Sequence, residues 1–277
     1  MILSFHPCFE ADQNRLCAGR LPDDNDLRAI QSADAVILPQ GCPESLYRMA
    51  VRNCSSVFPN YDARFSFPGK LGQAQLFQHY CAPHPDTLLF SSVDDYGRYT
   101  EENILPFAYP VVLKLDWGGE GETVYLVSTE TELKQMLAQM KTYEATGQNG
   151  FLIQKYIPSG NRSLRVVVIY RHIMTYWRAH DQSGNFYSSL AKGARIDYSS
   201  SPDLQEAGVQ SVHMLCNATG INLAGFDLLF SEIDSPSSPL FLEVNYFFGR
   251  LGIGGSEAYY ALLTDQIQTW MIDQKLI

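Results

Sequence analysis

Paired cysteines are missing from this chain. Its six cysteines, at 8, 17, 42, 54, 81 and 216, form no C-x-x-C pair and no zinc spacing. Isolated cysteines of this kind read as small buried hydrophobes in a reduced, cytoplasmic interior. The six histidines are scattered, with no H-E-x-x-H, so neither a zinc centre nor a histidine-activated nucleophile is indicated. Basic residues are scarce: 20 Lys and Arg stand against 30 Asp and Glu, a formal net charge of −10. Phosphate backbones and anionic lipids reward Lys/Arg stripes, so neither nucleic acid nor a membrane is an expected partner. No run approaches the roughly 18 apolar residues of a membrane span. Residues 1–7 have no basic n-region and no long apolar h-region, so no signal peptide is expected. No G-x-G-x-x-G follows the first apolar run, which leaves a dinucleotide site without support. Internal repeats and low-complexity segments are not found either.

What the chain does have is material for a large core. Its 277 residues are 45% apolar and 18% charged, which describes a globular protein of one large or two to three small domains. Residues 1–66 alternate apolar β-type runs (2–5, 35–39, 56–58) with helical spacings (24–32, 45–52), the pattern of a small parallel α/β domain. At Phe67-Pro-Gly-Lys70 the character changes, and a helix follows with Leu71, Ala74 and Phe77 on one side. Residues 94–103 read as loop or surface helix. Strands are predicted over 109–117, 123–127 and 151–157, with Thr129-x-x-Glu132 as a capping box for a helix between the last two. Two more strands, 164–170 and 173–179, precede a polar loop, a helix that Ser201-Pro202 opens and Gly220 closes, and a last helix over 256–274. The fold class expected is α+β with a parallel α/β start, divided at 1–66, 67–157 and 158–277.

The organising stretch is 224–249. Ala-Gly-Phe-Asp-Leu-Leu-Phe and Leu-Phe-Leu-Glu-Val-Asn, joined by a Ser/Pro-rich connection, read as strand, loop and strand. If Phe230 pairs with Leu240, Asp227 falls opposite Glu243, and Asn245 shares their face by alternation. Three hard oxygen ligands then converge, a set suited to Mg²⁺ or Mn²⁺ shared with phosphates. Burying such carboxylates without a cation is costly. The alternative is an exposed strand face solvated by water.

Lys114 lies inside an apolar strand, where a lysine is rarely left without a partner. The turn Gly118-Gly119-Glu120-Gly121-Glu122 follows it and supplies backbone N–H groups able to cradle phosphate oxygens. An ordinary hairpin turn and an edge-strand lysine are the plainer alternatives. Arg165 and Arg178 sit in later strands, and Lys192 and Arg195 flank a Gly-Ala turn. With the lysine and the oxygen set they describe a place where negative charge could develop during phosphoryl transfer.

Taken in order, Pro-Val-Val-Leu-Lys114, Gly-Gly-Glu-Gly121, Ile-Gln-Lys-Tyr-Ile157-Pro, Leu-Arg165-Val-Val-Val-Ile, Ser-Leu-Ala-Lys192-Gly-Ala-Arg195, Ala-Gly-Phe-Asp227-Leu-Leu and Leu-Glu243-Val-Asn245 resemble the ATP-grasp superfamily. The nearest likeness is to the branch holding glutathione synthetase, lysine-biosynthesis ligases and the ligases that add glutamate to ribosomal protein. The resemblance covers about residues 67–253. It implies an ATP-grasp fold, with a nucleotide held between two α+β subdomains behind a small α/β domain. It implies Asp227, Glu243 and Asn245 as ligands of Mg²⁺ (or Mn²⁺), two ions being expected, and Lys70 and Lys114 as contacts of ATP phosphates beside Gly118, Gly119, Gly121 and Lys192. Gln154, Lys155, Tyr156 and Ile157 match the linker at the adenine edge, Ser163 lies near a ribose contact, and Arg165, Arg178 and Arg195 match arginines around the acyl phosphate.

The implied reaction activates a carboxylate as an acyl phosphate and lets an amine attack it, with ADP and phosphate released. Physically this requires no protein nucleophile, in keeping with the absence of one. Departures are Lys155 for a usual glutamate, Ser163 near an acidic ribose contact, Ser189 for an asparagine and Phe248 for a proline. They suggest a divergent member, and the other reading they leave is a nucleotide-binding module with a regulatory or scaffolding role. Self-association is left open.

Overall fold

A computed structural model describes residues 1–119, 121–180, 193–233 and 238–277. Three sheets are built from successive thirds of the sequence. The first holds β1 (Ile2–Ser4), β2 (Gln13–Asn14), β3 (Ala35–Ile37) and β4 (Val57–Phe58), all parallel in the order β2-β1-β3-β4. Its central strands are buried at every position, without alternation, because both faces are covered. The crossovers are α1 (Asp24–Gln31) and α2 (Glu44–Asn53). Asp23 caps α1 by accepting from the N–H groups of Asn25 and Asp26, and the Asp26 carboxylate accepts from the Asp23 N–H in return. A short helix, α3 (Asp62–Ser66), leads to α4 (Gly69–His79).

The second sheet is antiparallel, β5 (Thr87–Phe90), β6 (Val111–Leu115), β7 (Val124–Val127) and β8 (Phe151–Lys155), in the order β5-β8-β6-β7. Helices α5 (Val93–Glu102) and α6 (Glu130–Glu144) cover one face, on Val111, Leu113, Leu115, Phe151 and Ile153. By alternation Val112, Lys114, Leu152 and Gln154 belong to the other face. The stretch read as loop or surface helix is thus a helix, α5. At α6 only half of the predicted capping box forms: Thr129 accepts from the Glu132 N–H, while the Glu132 carboxylate takes the N–H of Ser128.

The third sheet, β9 (Arg162–Ile169), β10 (His172–Ala179), β11 (Arg195–Asp197), β12 (Leu223–Leu229) and β13 (Leu240–Asn245), is antiparallel in the order β11-β10-β9-β12-β13. One face carries Leu164, Val166, Phe226 and Leu228 and packs on α7 (Pro202–Thr219). Gly220, at φ +74°, ends α7 in the left-handed conformation that glycine tolerates. Ser201 precedes α7 but does not cap it; its hydroxyl accepts from Arg162 instead. The opposite face changes character along its length. Val167, Ile169 and Leu223 lie under α8 (Gly255–Asp273), and Arg165, Arg178, Asp227 and Glu243 follow where α8 ends and the second sheet faces it.

The cores do not divide in three. Leu3 and Val36 of the first sheet share a cluster with Val166 and Phe226 of the third, and Ile37 and Phe58 share another with Ile169 and Trp270. The second sheet keeps its own. Helix α4 joins the larger core through Leu76 and Phe77. Among the described residues no helix is long and apolar enough to cross a membrane.

Candidate active site

Asp227 and Glu243 are register partners on β12 and β13. The pairing expected on the loop side differs: Leu229, not Phe230, faces Leu240, and Leu228 faces Phe241. The mismatch is a bulge at Leu242, which absorbs one residue and leaves the Asp227 register intact. It also brings two successive side chains, Leu242 and Glu243, to one cavity wall.

Asp227 is compensated by protein groups rather than left to a cation or to water alone. Arg165 reaches both its oxygens, with Nη2 to Oδ2 at 3.0 Å. Arg178 Nη2 lies 2.7 Å from Oδ1, and Asn245 Nδ2 donates to Oδ2 at 3.3 Å. Burial alone would push the Asp227 carboxyl up; the two guanidinium groups outweigh it and hold it below its usual range. Glu243 has the opposite balance. Burial and then Asp227 push its carboxyl up, against a smaller pull from Lys114. No group among the described residues donates a hydrogen bond to it.

Lys114 enters from β6 on the second sheet and is 8% exposed. Burial, with help from Lys70, lowers its pKa from 10.5 to about 8, although Glu243 and Asp227 act to raise it. Among the described residues it makes neither a hydrogen bond nor an ion pair. Lys70, in the first turn of α4, is placed differently: its ammonium donates to the carbonyls of Trp117 (3.0 Å) and Gly118 (2.9 Å) and to Thr123 Oγ1 (3.3 Å). The base of the glycine-rich turn is therefore tied to α4. Asp116 adds a second tie by accepting from the Leu71 N–H at 2.8 Å, and a Cβ on Gly69 would stand 2.5 Å from that carboxylate.

These groups line one cavity of about 530 Å³ between the second and third sheets. Lys70, Lys114, Gly121, Arg165, Arg178, Asp227, Glu243 and Asn245 all reach it, as do Gln154, Lys155, Tyr156 and Ile157. Gln154 is oriented by a 2.9 Å bond to Thr87, and the exposed Lys155 lies 3.6 Å from Asp86. Gly118 and Gly119 lie in the turn but do not line the cavity. Ser163 is buried beneath Arg178, whose Nη2 donates to it at 2.9 Å, so it offers no surface to a ribose. Arg195 is not brought to the site: it pairs with Ala179 and so shares the face of Trp177, whereas Ile196 shares the face of Arg178. Lys192 and Ser189 lie outside the described residues.

Some lining residues were not foreseen. Gln73 bonds the backbone of Val244 twice, accepting from its N–H (3.0 Å) and donating to its carbonyl (2.9 Å), which covers the free edge of β13. Its signal was present in the sequence, since Lys70, Gln73, Ala74 and Phe77 recur at i, i+3, i+4 and i+7 and all line the cavity. Tyr176, Phe247 and Leu251 also line it.

The second sheet brings Lys114 to one wall of the cleft, and the third brings Asp227, Glu243 and Asn245, with Arg165 and Arg178, to the other. The fold is shared with D-alanine–D-alanine ligase from Bacillus anthracis complexed with ATP, at a TM-score of 0.62 and 16% identity over 96% of this chain and 89% of that one. Residues 69–259 match the RimK-like ATP-grasp domain, and the chain belongs to that family. A probable alpha-L-glutamate ligase of Vibrio cholerae is 27% identical over 227 residues, 79% of this chain and 70% of that protein. Beta-citrylglutamate synthase B of Danio rerio is 28% identical over 148 residues, 53% of this chain; the match spans only 34% of the zebrafish protein.

Proposed function

We propose that the chain is an ATP-dependent carboxylate–amine ligase acting on amino-acid or peptide substrates. The observation that carries this reading is the Lys114 ammonium, which has no hydrogen bond or ion pair among the described residues and is buried in the wall of a cavity that also holds Glu243 and the arginine-bound Asp227. A buried cation with no partner is costly unless an anion arrives, and a nucleotide phosphate would supply one. The apolar inner wall, with Val112, Leu152, Ile157 and Leu242, suits a base beside the backbone of 154–157.

In the reaction a carboxylate oxygen attacks the γ-phosphorus, the bond to the β-phosphate oxygen breaks and ADP leaves. The amine nitrogen then attacks the acyl carbon, inorganic phosphate leaves and the nitrogen loses a proton. Lys114 and Lys70 would hold the phosphates, Lys70 giving up its carbonyls to do so. Arg165 and Arg178 would steady charge on the transferred phosphoryl group and the tetrahedral intermediate. Asp227, Glu243 and Asn245 fit Mg²⁺ or Mn²⁺ in donor type, and Glu243, which accepts no hydrogen bond among the described residues, has its carboxylate oxygens free for such an ion. When bound, such ions would neutralise phosphate charge.

Glu243→Gln tests the assignment: phosphate release in the presence of ATP and both substrates should disappear while thermal unfolding changes by no more than a few degrees. Loss of folding on the scale of a core mutation would make Glu243 structural. Ser163, buried under Arg178 in place of an acidic ribose contact, favours as a second reading a nucleotide-binding module without turnover. ADP binding with no phosphate release over a broad substrate panel would favour that second reading.

A further inference from the structure

We infer that Gln73 is a positioning residue for Glu243 and Asn245: by clamping the backbone of Val244 between them, it sets where this pair meets the divalent ion they would hold. The inference rests on the metal assignment within the ligase reading.

The strand that carries the pair is the outermost of the third sheet, and β13 pairs only with β12. The bulge beside Glu243 interrupts even that ladder. In an antiparallel pair, opposed residues alternate between bonding across the ladder and turning their N–H and C=O outward. Val244, opposite Phe226, is one that turns outward: its N–H donates to Gln73 Oε1 at 3.0 Å, and its carbonyl accepts from Gln73 Nε2 at 2.9 Å. One side-chain amide thus takes the place of a neighbouring strand at the residue between the two ligands. Farther along the same edge the Phe241 N–H donates to the Pro83 carbonyl at 2.7 Å.

The helix behind the clamp is itself fixed. A Cβ on Gly72 would stand 2.3 Å from the Phe67 carbonyl carbon, so α4 lies directly on the chain that enters it. Asp116 holds the Leu71 N–H, and Phe77, one turn beyond Gln73, packs its ring 5.4 Å from that of Phe241. Gln73 and Phe77 therefore meet β13 at Val244 and Phe241, which fixes the helix against the strand. Lys70 lies one turn before Gln73 on the same side of α4. A single helix then sets the spacing between that ammonium and the carboxylate wall. Covering a sheet edge calls for no particular partner. Holding metal ligands does, because Mg²⁺ demands near-ideal octahedral geometry, and any shift of the Val244 backbone carries Glu243 and Asn245 with it.

The test is the affinity of the full chain for Mn²⁺ in the presence of ADP, read from the water-proton relaxation that protein-bound Mn²⁺ enhances. Gln73→Leu keeps the bulk and loses both bonds; Gln75→Leu, exposed on the same helix, is the control. Gln73→Leu should raise the Kd for Mn²⁺ at least about tenfold, the scale on which partners of metal ligands act, while Gln75→Leu stays within about twofold of the native chain. The Tm of both should move by no more than a few degrees, and hydrogen exchange at Val244 should quicken in Gln73→Leu alone. An unchanged Mn²⁺ affinity in Gln73→Leu overturns the inference and leaves the ligase reading standing. So does a fall in Tm on the scale of a core mutation, which makes Gln73 structural. A native chain that binds ADP but no Mn²⁺ overturns the inference and the metal assignment together. A weakened Mn²⁺ site in Gln73→Leu, with no phosphate release by the native chain over a broad substrate panel, upholds the inference and overturns the ligase reading.

Discussion

Lys114 shows how a single residue can be wrong for stability and right for a ligand. With its pKa lowered to about 8, the folded chain binds its proton more weakly than the unfolded chain does, whose lysine titrates near 10.5. Below pH 8 both states are protonated and the fold carries the full penalty, of order 3 kcal/mol. Between the two pKa values the unfolded state holds the extra proton, so this residue's contribution to stability improves as pH rises. Lys114→Met should therefore raise the Tm of the nucleotide-free chain at pH 7 by several degrees while weakening ADP binding at least tenfold; an unchanged or lower Tm would show that the ammonium has a partner. Phosphate should draw the proton back. In the native chain, ADP affinity measured by calorimetry should fall by up to about tenfold per pH unit above pH 8, and the methionine variant should lose that dependence.

At the scale of elements, α1 depends on one carboxylate. Asp26 is fully buried, accepts from the Asp23 N–H at 3.0 Å and meets Arg15 Nε and Arg20 Nη2, each at 2.9 Å. Its hydrogen bond from Arg20 is the main reason its carboxyl is held well below the usual 3.8. The stabilisation is complete above that value and is lost as pH falls below it. Asp26→Ala should cost about 2 kcal/mol in urea unfolding at pH 7, and less at pH 3, since it removes the charge-assisted bonds from two partly exposed guanidinium groups and the bond from the Asp23 N–H; equal losses at both pH values would contradict the ion-pair origin.

Alternation is what made the site readable from sequence. A period of two puts Lys114 on the inner face of β6 and Asp227, Glu243 and Asn245 on one side of the β12–β13 pair. The same rule works against Arg195, because one residue along β11 reverses the face. The bulge at Leu242 left no mark in the pattern, and β5, four residues long and paired only with β8, offered too little alternation to be recognised. The pairing of Asp227 with two arginines was invisible because it joins three strands across the sheet.

For the whole molecule, the division of cores matters most. The first and third sheets share hydrophobic clusters, whereas the second has its own and meets them across the cavity. Such a unit can open without breaking the larger core. Hydrogen exchange should show β5–β8 with α5 and α6 exchanging as one group, faster than β9 and β12, and slowing when ADP binds. Uniform protection across all three sheets would mean a single cooperative body.

The most direct measurement is the stoichiometry of turnover. With ATP, Mg²⁺, a carboxylate and an amine, the chain should release one ADP and one phosphate for each new C–N bond, and none when either organic substrate is omitted. ATP consumed without amide formation, or AMP and pyrophosphate appearing in place of ADP and phosphate, would contradict the assignment of the cleft as a site of acyl phosphate chemistry.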